Sequence, residues 1–240
     1  MSKIRKTLLK ILGIFILGIF GGIFADQILW PYFIEKPLFY QYRLEKNPIY
    51  LTERKEIIIQ ENVALKNAVE KVEKTVIGVE TKKKDGQILE GSGLILTSDG
   101  LVVTLASLVP QGSTFSFFLE GKAVPFQILK RDLKENLALI KIEKTNLPTV
   151  GFTNFEKLKL GERVFLVGVA QSPNGGWVVN EGIVKSFDND SIETNIFEKE
   201  NLSGSPLFDI EGNVLGLNKI DKTGQVSTIP VTKIKQFSGF

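Results

Sequence analysis

The sequence predicts a mainly β protein, with two barrels of about six strands each behind a transmembrane helix and a short amphipathic helix. Three observations carry this expectation. From Thr75 onward the chain consists of short β-branched and aromatic runs separated by glycine, asparagine and aspartate turns, the texture of sandwiches and barrels. Residues 63–74 repeat apolar side chains at helical spacing. Residues 11–25 are wholly apolar or glycine.

The basic residues Lys3, Arg5, Lys6 and Lys10 precede that apolar run, and Ile28, Leu29 and Trp30 extend it to about the ~20 residues a spanning helix needs. A cleavable signal wants small residues before the cut, whereas Ile23-Phe24-Ala25 presents a bulky one, so an uncleaved anchor is expected over residues 1–30. Basic flanks stay inside, which places the protein in the cell membrane as a single-pass chain with an extracytoplasmic C-terminal bulk and Trp30 and Tyr32 at the outer interface. Gly18 and Gly22 form one small-residue pair through which two helices could approach, so an oligomer stays open.

Residues 31–61 read as an extracytoplasmic stalk, because Pro31, Pro37 and Pro48 break helices among aromatics, with a short strand at 57–59. Asn62 is placed to cap the helix that follows, in which Val63, Leu65, Val69 and Val72 share one face and charged residues take the other. Residues 62–240 then form one domain, with barrels at about 75–147 and 160–235 joined through residues 146–160. Strand interiors at Leu94, Ile95, Val102, Val103, Leu137, Leu139, Val164, Leu166, Val214 and Leu217 are expected to be buried.

Composition removes whole classes of chemistry. A 240-residue chain with 43% hydrophobic residues can bury a sizeable core, and a net charge of +3 with scattered lysines offers no basic face for nucleic acid. There are no cysteines and no histidines, so disulfides, thiol catalysis and thiolate or imidazole metal sites are absent, and neither a cofactor nor a metal is expected.

The stretch with chemical content is Asn201-Leu202-Ser203-Gly204-Ser205-Pro206-Leu207, a serine-bearing turn in front of the strand-like Leu207-Phe208-Asp209. It resembles the nucleophile loop of trypsin-like serine proteases, and other motifs resemble the HtrA/DegP-type members of that family in order and spacing. Gly91-Ser92-Gly93 with Ser98-Asp99-Gly100 is similar to the family's glycine hairpin, and residues 103–109 are similar to its V-T-N-A-H-V-V segment. Residues 132–139 are similar to its D-x-x-x-D-L-A-L segment; Gly182-Ile183-Val184, Gly212, Gly216 and Ile229-Pro230 match later positions. The likeness covers residues 63–235 and implies the trypsin-like double six-stranded β-barrel. The chain ends at Phe240, so the C-terminal peptide-binding PDZ module common in the family is expected to be missing.

Carried over residue by residue, the resemblance puts the nucleophile at Ser203, the family's histidine at Ser107 and its aspartate at Asn136, with oxyanion-hole positions at Asn201 and Ser203. Ser107 has no group that is neutral and basic near pH 7, and Asn136 has no charge with which to stabilise an imidazolium. Asn201 stands where a glycine is usual, and asparagine's tolerance of positive φ would let the turn survive. Three readings stand open. The chain is an inactive pseudoprotease that binds extended or unfolded peptide segments or a partner protease; or a serine endopeptidase in which Ser203 uses a lysine (Lys185, Lys199 or Lys219) or another chain's residue as base; or a membrane scaffold without chemistry.

Overall fold

The computed structural model describes residues 3–35, 61–170 and 176–240. The chain divides into two compact units, Met1–Ile58 and Ile59–Phe240.

In the first unit α1 (Lys3–Phe24) runs on as a π-helical stretch over Ala25–Glu35. The expected break at Pro31 is therefore absent: the wider helix reaches Glu35, and irregular turns of this kind tolerate a proline's missing N–H better than a regular α-helix does. Among the described residues, Arg5–Trp30 is the one helix long and apolar enough to cross a membrane, with a mean hydropathy of 2.4. Its large apolar side chains, from Leu8 to Trp30, are exposed. The remainder of the expected stalk, including the strand at 57–59, lies outside the described residues.

The second unit opens with α2 (Glu61–Val72), which already contains Asn62, so the cap expected there falls inside the helix. Ala68 and Val72 are buried while Val63 is exposed, the one-sided burial that the helical spacing predicts. Lys71 Nζ donates to the Glu211 carbonyl at 2.8 Å, fixing α2 against a turn of the second β module.

The first β module comprises β1 (Val76–Lys82), β2 (Ile88–Ile95), β3 (Leu101–Leu105), β4 (Thr114–Leu119), β5 (Lys122–Val124), β6 (Phe126–Asp132) and β7 (Leu137–Ile142). They form a seven-stranded antiparallel sheet in the order β5-β4-β1-β2-β3-β7-β6. A six-stranded closed barrel was expected here; the structure has a sheet whose two edge strands are successive pieces of one segment, parted only by Pro125. Proline has no N–H to give a ladder, so chain rather than hydrogen bonding joins the edges, and the sheet must curl to bring them together.

The second module is a closed barrel in the order β10-β13-β12-β11-β8-β9, built from β8 (Arg163–Ala170), β9 (Gly176–Phe187), β10 (Ile192–Phe197), β11 (Pro206–Asp209), β12 (Val214–Ile220) and β13 (Gln225–Pro230). Alternation along β8 divides its side chains between two cores. Val164 and Leu166 fill the barrel, while Phe165 and Val167 join the core of the first module, where Phe165 stacks on Phe208 with ring centroids 5.4 Å apart. Burial on both faces explains why β8 reads as an unbroken apolar run. All ten residues expected to be buried are buried. A short helix that the sequence reading did not contain, α3 (Val231–Ser238), packs Val231, Ile234 and Phe237 into the same shared core.

Candidate functional site

Ser203 follows a 3-10 turn, Glu200–Leu202, and the residue is 7% exposed. The turn consumes its own amides. The N–H of Leu202 donates to Lys199 O at 3.0 Å, that of Ser203 to Glu200 O at 3.0 Å, that of Gly204 to Asn218 O at 2.8 Å and that of Ser205 to Leu202 O at 3.1 Å. Four consecutive N–H groups are thus committed to protein carbonyls, and an amide already paired cannot receive a developing oxyanion without first breaking that bond. Asn201 is not among the residues at positive φ, so the turn that asparagine was expected to preserve has closed into a 3-10 turn instead.

Glycine is required at the next position. Gly204 has φ +80°, and a Cβ there would lie 2.2 Å from the Ser92 carbonyl oxygen. That closeness reflects how the glycine hairpin of β2 meets the serine turn: Ser92 N–H donates to Ser203 O at 2.9 Å, and Val169 N–H donates to Ser92 Oγ at 3.0 Å. Ser205 is fully buried; Asn218 Nδ2 donates to its hydroxyl at 3.1 Å, and Thr228 Oγ1 donates to Asn218 Oδ1 at 2.6 Å. This satisfied network seats the serine turn on β12 and β13.

The Ser203 hydroxyl oxygen accepts from the Ile220 N–H at 3.3 Å. Neither Ser107 nor Asn136 is among its hydrogen-bond partners, although both line the same cavity of about 460 Å³. Ser107 is exposed on the 3-10 turn Ala106–Leu108. Asn136 braces that turn twice, its Oδ1 accepting from Ser107 N–H at 2.8 Å and its backbone carbonyl from Ala106 N–H at 3.1 Å. It does so from the left-handed region at φ 55°, which asparagine tolerates better than most residues. The preceding turn is tied by Asp132, whose Oδ1 accepts from the N–H groups of Lys134 and Glu135; the Glu135 bond is the main reason its carboxyl lies below the usual aspartate value.

Of the three candidate lysines, Lys219 lines the cavity; Lys185 and Lys199 do not. The sequence reading missed Glu90, Glu200 and Ile220, which also line it. Glu90 sits in an ordinary strand, and nothing in its local pattern marks it. Asn201 Nδ2 reaches Glu90 Oε2 at 3.4 Å, while Asn201 Oδ1 is buried and has no partner, the one such side-chain atom among the described residues. A buried acceptor left unpaired costs about 1–3 kcal/mol, which makes the Asn201 side chain the least satisfied polar group beside the cavity. No cluster of three or more histidine, cysteine, aspartate or glutamate side chains suited to a metal occurs among the described residues.

Comparison with known proteins places these features. Residues 91–217 match the family described as the trypsin-like peptidase domain. A probable periplasmic serine endoprotease DegP-like of Pseudomonas putida is 34% identical over 147 residues, covering 57% of this chain and 30% of the relative. Serine protease HTRA1A of Danio rerio is 31% identical over 192 residues, covering 71% of this chain and 40% of the relative. The chain thus spans well under half the length of the curated relatives it matches. Among solved structures, the crystal structure of Deg5 superposes with a TM-score of 0.65 at 20% identity, over 74% of this chain and 93% of that one. An HtrA-type protease, AlgW, in a variant form with a tripeptide, gives 0.65 at 22% identity over 73% and 62%.

Proposed function

Because the chain belongs to the trypsin-like peptidase domain family, matched over more than half its length and with HtrA-type relatives, we propose that it is a member that has kept the cleft and lost the chemistry. It is a pseudoprotease, held in the membrane by its N-terminal helix with the β modules outside the cytoplasm, and it binds extended peptide segments or a partner protein in the cleft.

The observation that carries this reading is the state of the Ser203 turn: its amides from Leu202 to Ser205 are paired internally, in a chain without a single histidine. Acyl transfer by a serine needs a base to take the hydroxyl proton and donors to receive the oxyanion. Without a working triad, oxyanion stabilisation and binding leave about 10³–10⁴-fold catalysis over water, roughly a million-fold below an intact protease. With the Ser203 N–H, one of the two oxyanion positions, committed to Glu200 O as well, less remains. Loss of hydrolysis does not remove groove binding, which uses strand edges and pockets.

One observation favours a second reading. Lys219 lines the cavity that holds Ser203, and serine–lysine pairs run acyl transfer on other folds. The deciding experiment is to treat the full chain in detergent or nanodiscs with a fluorophosphonate and with unfolded casein, beside Ser203→Ala. No labelling and equal, background cleavage are expected; Ser203-dependent labelling abolished by Lys219→Met would establish the lysine-assisted enzyme instead.

A further inference from the structure

The cleft has an open strand edge. β3 covers β2 only from Gly93 to Ile95, and at Ser92 the N–H turns away from β1 to bond Ser203 O. Strand alternation puts the peptide groups of Glu90 and Ile88 on that same edge, because backbone polar groups two residues apart point the same way. Both residues line the cavity, and Ile88 is 57% exposed. Unpaired edge groups facing a groove are a template for a further strand.

The charge on the walls selects what that strand should carry. Glu90 and Glu200 line the cavity against a single ammonium, that of Lys219. Glu90 also lies directly opposite Glu80 in the β1–β2 register, two like charges on one face of the sheet. None of Glu80, Glu90 and Glu200 forms an ion pair among the described residues. The exposed Ile88 and the Leu108 wall provide apolar surface along which an aliphatic stem ending in a cation can lie.

We infer that the cleft takes an extended peptide segment bearing a lysine or arginine, added as a strand to the open edge of β2 at Ile88 and Glu90 and held through its cation by Glu90 and Glu200. The inference rests on the peptide-binding reading above and adds the chemistry of the occupant to it.

The test uses the full chain in nanodiscs and fluorescein-labelled octapeptides of alternating threonine and valine with a central lysine, glutamine or glutamate, read by fluorescence anisotropy. The lysine peptide should bind about tenfold more tightly than the glutamine peptide, with the glutamate peptide weakest, since a charge-assisted hydrogen bond is worth roughly that factor. The preference should shrink in Glu90→Gln and Glu200→Gln and vanish in the double variant. Backbone N-methylation of the lysine peptide at alternate residues should abolish binding. Equal affinity for lysine and glutamine peptides overturns the inference while leaving peptide binding standing; an undiminished lysine preference in the double variant overturns the assignment to these carboxylates. Failure of every peptide to bind removes both the inference and the reading beneath it.

Discussion

The backbone N–H of Ile220 donates to the hydroxyl oxygen of Ser203 at 3.3 Å, so the side chain that would attack a substrate serves the fold as an acceptor for β12. Ser203→Ala therefore leaves a buried N–H without its partner. A loss of about 1–3 kcal/mol in unfolding free energy is expected, measured by urea denaturation of the full chain in micelles, with no change in peptide hydrolysis. A Ser203→Ala variant as stable as the parent would show that the hydroxyl does not bear on the fold.

Restoring the base alone should not restore a protease. Ser107→His with Asn136→Asp supplies an imidazole and a carboxylate, yet the Ser203 N–H stays bonded to Glu200 O. Casein cleavage should stay at background in that double variant and appear only when Asn201→Gly is added, since a missing oxyanion donor costs about 10²–10³ in rate. Activity in the double variant without the third change would mean that the 3-10 turn opens readily.

Asn136 holds the turn that carries Ser107, and two properties of asparagine contribute: the Oδ1 acceptor and tolerance of φ 55°. Asn136→Gly keeps the second and loses the first; Asn136→Ala loses both. The alanine variant should be the less stable by about 1–2 kcal/mol, the cost of the left-handed conformation for an ordinary residue, as seen in denaturation midpoints. Equal midpoints would remove the conformational part of this account.

Lys233 joins α3 to two loops, its Nζ lying 2.7 Å from Asp190 Oδ1 and 2.7 Å from Glu135 Oε2, next to Asn136. Bonding to Asp190 first, and to Glu135 second, holds its pKa above the ordinary lysine value of 10.5. With the folded value raised, its stabilisation is fully present below pH 10.5 and is lost as pH climbs through the folded pKa. Asp99, bonded by Lys141 and Thr97, is shifted the other way; its contribution is present above 3.8 and lost as pH falls through its lowered value. Thermal melting against pH should decline on both flanks; Lys233→Met should flatten the alkaline flank, and Lys141→Met should flatten the acid flank by removing the main cause of the Asp99 shift.

Topology gives a prediction on whole cells. If the proposed orientation holds, with the basic end inside and Arg5–Trp30 in the bilayer, protease added outside intact cells should degrade the β modules and spare a tag placed at residue 1. Protection of the β modules would reverse the orientation.

Local pattern made the long apolar helix and much of the strand interior legible: Val102 and Val103 fall in β3, and Leu137 and Leu139 in β7, where their alternating runs place them. The absence of histidine needs no structure at all. β6 escaped because Phe126–Asp132 is an edge strand ending in the consecutive charged residues Lys130, Arg131 and Asp132, which break the apolar alternation; their partners, Phe237 O for Lys130 and Val109 O for Arg131, come from distant segments. α3 escaped because eight residues starting at a β-branched valine carry too little periodicity; packing of Ile234 and Phe237 against the shared core makes that helix stable.

For the site, sequence determined which residue types stand at Ser107, Asn136 and Ser203, and that none of the three is an imidazole or a carboxylate. Only the tertiary structure decided what those residues do now. Whether an amide at Ser203 faces the cavity or a carbonyl three residues back is a matter of one peptide's orientation, and no residue type dictates it. The open edge at Ile88 and Glu90 likewise depends on where β3 stops pairing with β2, and the meeting of Glu90 with Asn201 joins positions 111 residues apart. Such relations arise from register and packing between distant segments, to which a local pattern of residues is blind.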